Sequence, residues 1–257
     1  MPIVAEDELG AFYPDSYAPF ETPSGLVARA MAGMQRRRDR RFPLSALDAG
    51  HGPGTLLDVG CGRGDLAASW LAAGWTVLGV EPSPQAAAVA SRRGAPIVGS
   101  TLSDARLEPE SLDAVVFRHS LEHVVDPRLE LRRVAAALRP GGRLAVIVPN
   151  WGSWQRRAFK ARWFPLELPR HRTHFTAAGL RAAIESAGLR PIDVVPATPF
   201  ITTTWSVQFA LLDHLVTERG GALLAGYLAS VPVSLVTRLL DLTLRSGDFL
   251  HAAAVKP

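Results

Sequence analysis

The sequence predicts an α/β fold built on a doubly wound, mostly parallel sheet. Three observations carry this prediction. From about residue 55 onward, short apolar runs alternate with helical stretches. Glycines end most of the helical stretches, as at Gly74, at Gly94 and in the RPGG of 139–142. A glycine-rich segment, LLDVGCGRGDLA at 56–67, joins the first strand to the first helix.

Seven segments have the composition of strands, and they lie at 55–60, 76–81, 96–99, 112–117, 143–150, 190–197 and 248–256. Helices are predicted at 65–74, from Pro82 to Arg93, and from Asp126 to Leu138. The pair Asp126-Pro127 is typical of a helix start, because aspartate accepts backbone N–H bonds and proline fixes the first turn. Strands joined through such helices run parallel with right-handed crossovers.

The composition limits the classes of protein that this chain can represent. Its 257 residues suit one large α/β domain, or one such domain with an appendage. The net charge of +4 permits a polyanionic partner, but a solvated, arginine-rich surface is the plainer interpretation. A single cysteine, Cys61, excludes an internal disulfide and fits a reducing compartment. No basic-then-apolar leader opens the sequence, so we expect a cytoplasmic location.

The segment at 56–67 is the most informative stretch of the chain. Gly60, Gly62 and Gly64 lie between a strand end and a helix start, where glycine lets the backbone take positive φ and a ligand approach closely. In an open parallel sheet, ligands bind at the carboxyl ends of the strands. Glu81 ends the next strand, where its carboxylate could accept two hydrogen bonds from a ribose diol.

At this point the sequence resembles the class I S-adenosylmethionine (SAM)-dependent methyltransferases. The matching segments are LLDVGCGRGDLA, VLGVEPS, SLDAVVFRHSLEHVVDP and LRPGGRLAVIVPN, in the order and at the spacing of the family. They cover roughly residues 55–150, and HFTAAGLRAAIESAGL extends the resemblance to about 190. The resemblance implies SAM as cofactor. It also implies a Rossmann-like, seven-stranded sheet with an antiparallel last strand and helices on both faces.

The resemblance also assigns cofactor-binding roles. Gly60, Cys61 and Gly62 would pass beneath the amino acid part of SAM, with Asp58 holding that loop and Glu81 on the ribose. Pro82 would touch the adenine. Where relatives often carry an acid for the adenine amine, this chain has Ser100, so Thr101 and Leu102 amides or Asp104 become alternatives. The predicted cofactor set is Asp58, Gly60, Cys61, Gly62, Gly64, Glu81, Pro82, Ser100, Thr101, Leu102 and Arg118.

Two histidines and a glutamate fall within five positions, as His119, Glu122 and His123 in an H-x-x-E-H spacing. A zinc peptidase would need all three on one helix, whereas here the motif directly follows a strand. Some methyltransferases use E-x-x-E-H with a later histidine to hold magnesium. His171 and His174 offer that later ligand, and such a histidine-rich set would favour zinc, iron or manganese. A structural role without metal is the favoured interpretation.

Methyl transfer is an in-line displacement that must align acceptor, methyl group and sulfur. A hydroxyl acceptor also needs a base, and histidine is the usual one near neutral pH. His119 is the first candidate, because it follows the fourth strand at the edge that faces the acceptor. His174 is the second candidate, because in relatives HRTHFT lies beside the acceptor pocket. The plainer interpretation is that both only line the pocket with hydrogen-bonding groups.

Two segments differ from the common core. WGSWQRRAFKARWFPLELPRHR at 151–172 interleaves tryptophans with cations, which suits nucleic acid, a membrane surface or, as the favoured interpretation, a lid over the acceptor pocket. A stretch of 18 residues without charge, 220–237, is read as a helical cap, a dimer surface or an interfacial element rather than a membrane span. The predicted units are an N-terminal helical cap at 1–50, the methyltransferase core at 51–199, a helical insertion at 200–246 and the final strand at 247–257.

The leading functional hypothesis is methyl transfer to a hydroxyl of a glycan, a lipid-linked sugar or a secondary metabolite. It follows from the segment FYPDSY and the histidine motifs, which resemble a bacterial subfamily with surface-glycan and natural-product functions. A quinone- or lipid-type methyltransferase at the inner membrane face is the second hypothesis. The third is a cofactor-binding partner subunit without turnover. A small-molecule or lipid-linked acceptor is the expected partner, nucleic acid is disfavoured, and a homodimer stays open.

Overall fold

The computed structural model describes residues 45–47, 52–197, 206–207, 209–210, 232–233, 235–237, 239–241 and 243–257. Of the predicted N-terminal cap, only 45–47 belongs to the described residues; it is helical, and Leu47 is buried. The rest of that prediction lies outside them. Most of the predicted insertion at 200–246 lies outside them too, but its described residues up to 244 are helical.

In the described part of the chain, one sheet contains seven strands in the order β3-β2-β1-β4-β5-β7-β6. The strands are β1 (Thr55–Val59), β2 (Thr76–Val80), β3 (Ile97–Gly99), β4 (Leu112–Arg118), β5 (Leu138–Pro149), β6 (Arg190–Ala197) and β7 (Phe249–Val255). β7 pairs antiparallel with β5 and β6, and the other neighbours pair parallel. The predicted fold class is therefore confirmed.

Five α-helices are described, α1 (Ala67–Ala72), α2 (Pro84–Arg92), α3 (Pro127–Ala137), α4 (Trp154–Phe159) and α5 (Ala177–Ser186). Two 3-10 turns, Lys160–Arg162 and Phe164–Leu166, follow α4. Asp126 caps α3 as predicted, since its Oδ1 accepts hydrogen bonds from Arg128 N and Leu129 N. None of the described helices combines the length and apolar composition needed to cross a membrane.

Alternate residues of β1 and β4 point to opposite faces of the sheet, and both faces are buried. Leu57 of β1 packs in one cluster with Leu131 of α3 and Ile184 of α5. Leu56, the preceding residue of β1, packs in a second cluster that contains Trp70 of α1. Two helical layers therefore sandwich the sheet, which leaves its carboxyl edge as the place where loops can form a site.

Most strand boundaries lie within one residue of the prediction, but β5 begins at Leu138 rather than at residue 143. Leu138 pairs with Leu112 of β4, so the chain enters the sheet directly from α3. Gly141 N donates to Lys256 O and Lys256 N donates to Gly142 O. The RPGG segment is therefore held by the end of the chain, a long-range contact that a local turn signal does not reveal.

The strand order reverses at β1, so the crossovers from β1 and β4 leave in opposite directions and open a crevice between their carboxyl ends. The antiparallel β7 brings a second group of residues to the same edge. Its first residue, Phe249, lies opposite Pro149 of β5 and Ala197 of β6. The connection between β6 and β7 therefore leaves and re-enters the sheet at the carboxyl edge.

Candidate active site at the carboxyl edge of the sheet

The loop after β1 is fastened to the end of β2. Gly60 N and Cys61 N both donate to Val80 O, at 2.8 and 3.2 Å. The Glu81 carboxylate accepts a hydrogen bond from Gly62 N at 2.8 Å through Oε2, and one from Ser83 N at 2.9 Å through Oε1. Burial raises the pKa of Glu81, and these two backbone bonds oppose the rise. Glu81 thus shapes the glycine loop as well as facing it.

The first two glycines of the loop have different reasons to be glycine. Both take positive φ, +73° at Gly60 and +56° at Gly62. A Cβ on Gly60 would lie 2.6 Å from the Cβ of Ser120, so this glycine lets the loop after β4 approach. A Cβ on Gly62 would meet nothing within 4 Å. Gly62 therefore borders open space, as expected of a backbone that a ligand approaches.

Cys61 and Gly64, the other two predicted residues of this loop, contribute in other ways. The Cys61 side chain is buried in the core, and a Cβ on Gly79 would come within 2.8 Å of its sulfur. Burial raises the pKa of the Cys61 thiol, which keeps it neutral and unreactive. Gly64 lets the loop pass α2, since a Cβ there would lie 3.0 Å from Ala90 Cα. Cys61 can face a ligand only with its backbone, and Gly64 serves packing.

Asp58 lies at the end of β1 with 4% of its surface exposed. Burial raises its pKa to about 6, the positive charge of Arg118 opposes that rise, and the negative charge of Glu81 adds to it. Arg118 ends β4, the strand that pairs with β1. Two buried carboxylates and one arginine therefore interact electrostatically at this edge, and a bound cationic group would lower the pKa of Asp58 and favour its ionised form.

The turn after β3 contains the acid that position 100 lacks. Ser100 Oγ donates to Asp104 Oδ2 at 2.5 Å, and Thr101 N donates to the same oxygen at 3.3 Å. The hydrogen bond from Ser100 lowers the pKa of Asp104. Leu102 turns its side chain into the core, so only its backbone can face a ligand. Pro82 is exposed at the end of the neighbouring β2.

His119 directly follows β4, with a left-handed φ of 56° and its N–H bonded to Ile147 O at 2.9 Å. Its side chain is 37% exposed, and its ring meets the edge of Phe249 with 4.8 Å between centroids. Nδ1 lies 3.8 Å from Oε1 of Glu122, beyond hydrogen-bond range. His119 therefore sits at the predicted edge of the sheet, with its imidazole accessible from the crevice.

Glu122 is fully buried, and neither carboxylate oxygen has a hydrogen-bond partner among the described residues. Its backbone oxygen accepts bonds from Arg172 N at 2.9 Å and Thr173 N at 3.1 Å. The backbone, rather than the carboxylate, therefore fixes this loop. Burial raises the pKa of Glu122, and the charges of His171 and His123 oppose that rise. An ionised carboxylate in this buried place is therefore stabilised by a nearby positive charge.

Two histidines lie beside that carboxylate. Nδ1 of His123 is 3.1 Å from Arg170 O, and Nδ1 of His171 is 2.8 Å from Pro165 O. A carbonyl can only accept, so both rings carry their hydrogen on Nδ1 and their lone pair on Nε2. One ligand atom from each of Glu122, His123 and His171 lies within 4.8 Å of the others. Of the residues considered as possible metal ligands, these three lie close enough to share an ion, and we call them the Glu-His-His cluster.

His174 lies outside the Glu-His-His cluster. Its Nε2 donates to Leu166 O at 3.1 Å, which puts the lone pair of the neutral ring on Nδ1. The ring lies 4.9 Å from that of Trp151, whose face carries the Arg156 guanidinium at 3.8 Å. Burial lowers the pKa of His174, and the charge of Arg156 lowers it further. A neutral imidazole is the form that can accept a proton.

Sequence reasoning missed two residues that hold the loops of this edge. Ser120 Oγ donates to Val59 O at 2.5 Å and clips the loop after β4 to β1. Asp248, fully buried before β7, accepts at Oδ1 from Ser153 Oγ at 2.7 Å and from Trp163 Nε1 at 2.8 Å. Burial raises the pKa of Asp248 to about 6. Their partners lie 61 to 95 residues away along the chain, so no local motif could have found them.

A glycine loop after β1, an acid after β2 and this strand order define a Rossmann-like cofactor-binding enzyme fold of the class I methyltransferase type. The family comparison agrees, since the model of the methyltransferase domain family matches residues 29–194. The chain belongs to this methyltransferase domain family.

Curated relatives share a large part of the sequence. A ubiquinone biosynthesis O-methyltransferase of Methylobacterium nodulans is 35% identical over 167 residues, which is 60% of this chain and 64% of the relative. An uncharacterized 37.1 kDa protein in a Streptomyces fradiae transposon is 33% identical over 230 residues, which is 82% of this chain and 63% of the relative. The chain therefore spans less than two thirds of the length of either relative.

Solved structures share the fold. Geranyl diphosphate C-methyltransferase from Streptomyces coelicolor, in complex with Mg²⁺, geranyl diphosphate and S-adenosyl-L-homocysteine, has a TM-score of 0.59 at 18% identity. The alignment covers 95% of this chain and 87% of that one. A sarcosine dimethylglycine methyltransferase of Galdieria sulphuraria has a TM-score of 0.61 at 12% identity, with 89% of this chain and 88% of that one covered. At these identities, the comparison establishes the shared fold.

Proposed function

We propose that this chain transfers the methyl group of SAM to a hydroxyl of a small-molecule acceptor. The observation that carries the proposal is the loop after β1. Its Gly62 backbone borders open space, while the buried carboxylates of Asp58 and Glu81 stand beside it. Carboxylates suit the two polar parts of SAM, because one attracts the ammonium and the other accepts bonds from the ribose diol. The family membership supports the same cofactor.

Relatives named O-methyltransferases support oxygen as the attacking atom. Two acceptor classes fit, a glycan, lipid-linked sugar or secondary metabolite on one side and a quinone-type ring on the other. When bound, SAM supplies an electrophilic methyl group, so the chain must orient the acceptor hydroxyl and remove its proton. His119, next to the crevice, and His174, with its lone pair on Nδ1, are the proposed bases. A homodimer and a contact with the membrane surface stay predictions.

Replacement of Glu81 tests the cofactor site. Glu81→Ala removes the acceptor for Gly62 N and Ser83 N together with the proposed ribose partner. We expect SAM and S-adenosylhomocysteine to bind about 1–3 kcal/mol more weakly by calorimetry, as for a lost charge-assisted hydrogen-bond pair. Glu185→Ala, at an exposed position of α5, is the control and should bind as the wild type does. Equal affinity of Glu81→Ala and wild type would refute the assignment.

Cofactor binding without turnover on any acceptor would instead support a partner subunit. Hydroxyl-bearing sugars, quinols and phenols should be tried as acceptors with labelled SAM. Under our proposal, His119→Ala lowers turnover while leaving S-adenosylhomocysteine affinity unchanged, because its imidazole acts on the acceptor. A His119→Ala enzyme with full turnover would assign the base to another residue, and His174→Ala is then the next variant.

We also propose that the Glu-His-His cluster holds a divalent ion. From the sequence, a structural role is favoured, but the carboxylate of Glu122 is buried without hydrogen-bond partners beside the two imidazoles. Backbone carbonyls that accept from Nδ1 of His123 and His171 orient the two rings, as carbonyls commonly do for histidines that bind a metal through Nε2. Two imidazoles and one carboxylate suit zinc, iron or manganese. Such an ion would lower the pKa of an acceptor hydroxyl that reaches it.

Metal content gives a test that does not depend on activity. Purified protein dialysed against zinc or manganese should retain one equivalent by elemental analysis and melt at a higher temperature than chelated protein. His123→Ala and His171→Ala should each lose that equivalent, whereas His174→Ala should keep it, since His174 lies outside the cluster. The proposal is contradicted if all three variants retain the metal, or if the wild-type protein does not retain it.

A further inference from the structure

A cationic pocket lies directly beyond β5. It encloses about 380 Å³ and is lined by Trp151, Arg156, Arg157, Lys160, Ala161 and Leu166. Trp151 follows Asn150, the residue after β5, so the pocket opens at the carboxyl edge that carries His119. The ring of His174, a proposed base, lies 4.9 Å from that of Trp151. The pocket is therefore in position to hold part of an acceptor.

The walls of the cationic pocket stand on a fixed frame. Ser153 and Trp163 both donate to the buried carboxylate of Asp248. Trp154 Nε1 donates to Asp241 Oδ1 at 2.6 Å, and its backbone N–H donates to Ser246 Oγ at 3.0 Å. Two of the three tryptophans in this segment thus turn inward, and only Trp151, at 37% exposure, presents its ring to the pocket. These hydrogen bonds therefore hold the basic segment after β5 in place.

The charge of the pocket is one-sided. Its lining contains three cations and no acid. Within the described ranges, no carboxylate forms an ion pair with Arg156, Arg157 or Lys160. Arg156 is held flat on the Trp151 ring, while Arg157 and Lys160 are exposed. Positive charges gathered without a counter-charge create a potential that attracts an anion and is relieved by binding one.

We infer that the cationic pocket binds an anionic group of the methyl acceptor, a phosphate, a diphosphate or a carboxylate. Arg157 and Lys160 meet the charge, and Trp151 with Leu166 contacts the apolar part next to it. This inference rests on the proposed function and narrows its substrate. A neutral quinol ring offers no such group, so the pocket favours an anionic glycan, phosphorylated metabolite or phospholipid-like acceptor.

Equilibrium dialysis with inorganic pyrophosphate tests the inference. The protein is saturated with S-adenosylhomocysteine, and a chelator is present so that metal-bound pyrophosphate does not contribute. We expect saturable binding that weakens about tenfold or more in Arg157→Gln/Lys160→Gln, which removes two charges from the pocket. Arg132→Gln/Arg181→Gln removes the same charge from exposed positions on α3 and α5 and should change affinity by less than about twofold.

A second arm identifies the source of the anion. Vesicles of phosphatidylglycerol and of phosphatidylcholine are sedimented with the same three proteins: wild type, the pocket variant Arg157→Gln/Lys160→Gln and the control variant Arg132→Gln/Arg181→Gln. Binding to phosphatidylglycerol alone, lost in the pocket variant but kept in the control, supports a lipid phosphate as the anion. Pyrophosphate binding without vesicle binding supports a soluble anionic acceptor.

Other outcomes overturn the inference. Absence of both pyrophosphate and vesicle binding does so, as does equal weakening in the pocket and control variants, which would show only general charge attraction. Calorimetry with S-adenosylhomocysteine separates this result from failure of the proposed function. The pocket variant should keep wild-type cofactor affinity. If the wild-type protein itself does not bind S-adenosylhomocysteine, the proposed function is refuted, whereas the pyrophosphate result still tests the inference.

Discussion

The cofactor side and the acceptor side of the carboxyl edge are built in different ways. On the cofactor side, the hydrogen bonds of Glu81 stay within one strand-helix-strand unit, since it accepts from Ser83 N two residues away and from Gly62 N nineteen residues away. On the acceptor side, His123 reaches Arg170 over 47 residues and Ser153 reaches Asp248 over 95. The first side is a local motif, and the second exists only once distant segments have folded together.

The two sides also differ in charge. Buried acids, Asp58 and Glu81, line the cofactor side, whereas Arg156, Arg157 and Lys160 line the cationic pocket on the acceptor side. SAM carries an ammonium and a sulfonium, which the acids of the cofactor side attract. The cations of the acceptor side attract an anionic group instead. The proposed cofactor and the inferred anionic acceptor would therefore be distinguished at this edge by charge as well as by shape.

The glycine loop provides the largest expected effect. Gly60→Ala would place a Cβ 2.6 Å from Ser120 Cβ at a positive φ, so the variant should lose roughly 2–4 kcal/mol of unfolding free energy. Gly62→Ala has the same kind of φ but open space around its Cβ, so it should lose only about 1 kcal/mol. Urea unfolding measures both.

Cofactor affinity should rank the two variants differently. In Gly62→Ala, the added methyl group occupies the space that the cofactor is proposed to enter, so binding should weaken by about tenfold or more while the protein stays folded. Equal loss of stability in the two variants would contradict the assignment of Gly60 to packing. Unchanged cofactor affinity in Gly62→Ala would contradict the assignment of Gly62 to the ligand side.

Asp58 should make cofactor binding depend on pH. Its folded pKa of about 6 means that it is mostly neutral at pH 5 and ionised at pH 7. Only the carboxylate attracts an ammonium, so S-adenosylhomocysteine affinity should fall as pH drops below 6, by up to tenfold per pH unit. Calorimetry from pH 5 to 8 measures this, with proton release expected on binding at the acid end.

Asp58→Asn is the matched control for that profile. It keeps the side-chain shape and should bind cofactor more weakly near neutrality, with the pH dependence below 6 flattened. Parallel profiles for the variant and the wild type would show that another group, not Asp58, senses the proton.

Asp248 should affect stability rather than cofactor binding, and it should do so through pH. Its pKa rises from 3.8 to about 6 on folding, so between those values the folded protein holds the proton more tightly than the unfolded chain. Its contribution therefore increases as pH falls below 6, by about 1 kcal/mol per pH unit, until the unfolded group also protonates. It is absent above about pH 7.

Urea unfolding at several pH values isolates this contribution. Asp248→Asn keeps an oxygen acceptor for Ser153 and Trp163 and should reduce the slope of unfolding free energy against pH between 4 and 6. Asp193→Asn, an exposed change of the same chemistry on β6, is the reference variant. If both variants reduce the slope equally, Asp248 is not the group responsible.

Sequence by itself determined the sheet and the start of α3, and it located the glycine loop. Apolar runs mark β1 and β4 because both faces of a parallel strand are buried, and Asp126 with Pro127 marks the start of α3 through bonds made within four residues. The roles of the glycines at 60 and 62 can also be predicted from the sequence, since the ability to take a positive φ belongs to glycine itself.

Tertiary structure alone decided the rest. Tertiary packing buries the Cys61 side chain in the core and starts β5 at Leu138. It also brings the carboxylate of Asp104 to Ser100, the position that lacks an acid. It also brought His171 to Glu122 and His123, while the His174 ring lies beside that of Trp151 instead. These contacts join segments far apart in sequence, and their geometry depends on how the loops after β4 and β5 pack against each other. Residue spacing records periodicity along one element, but it does not record which elements meet.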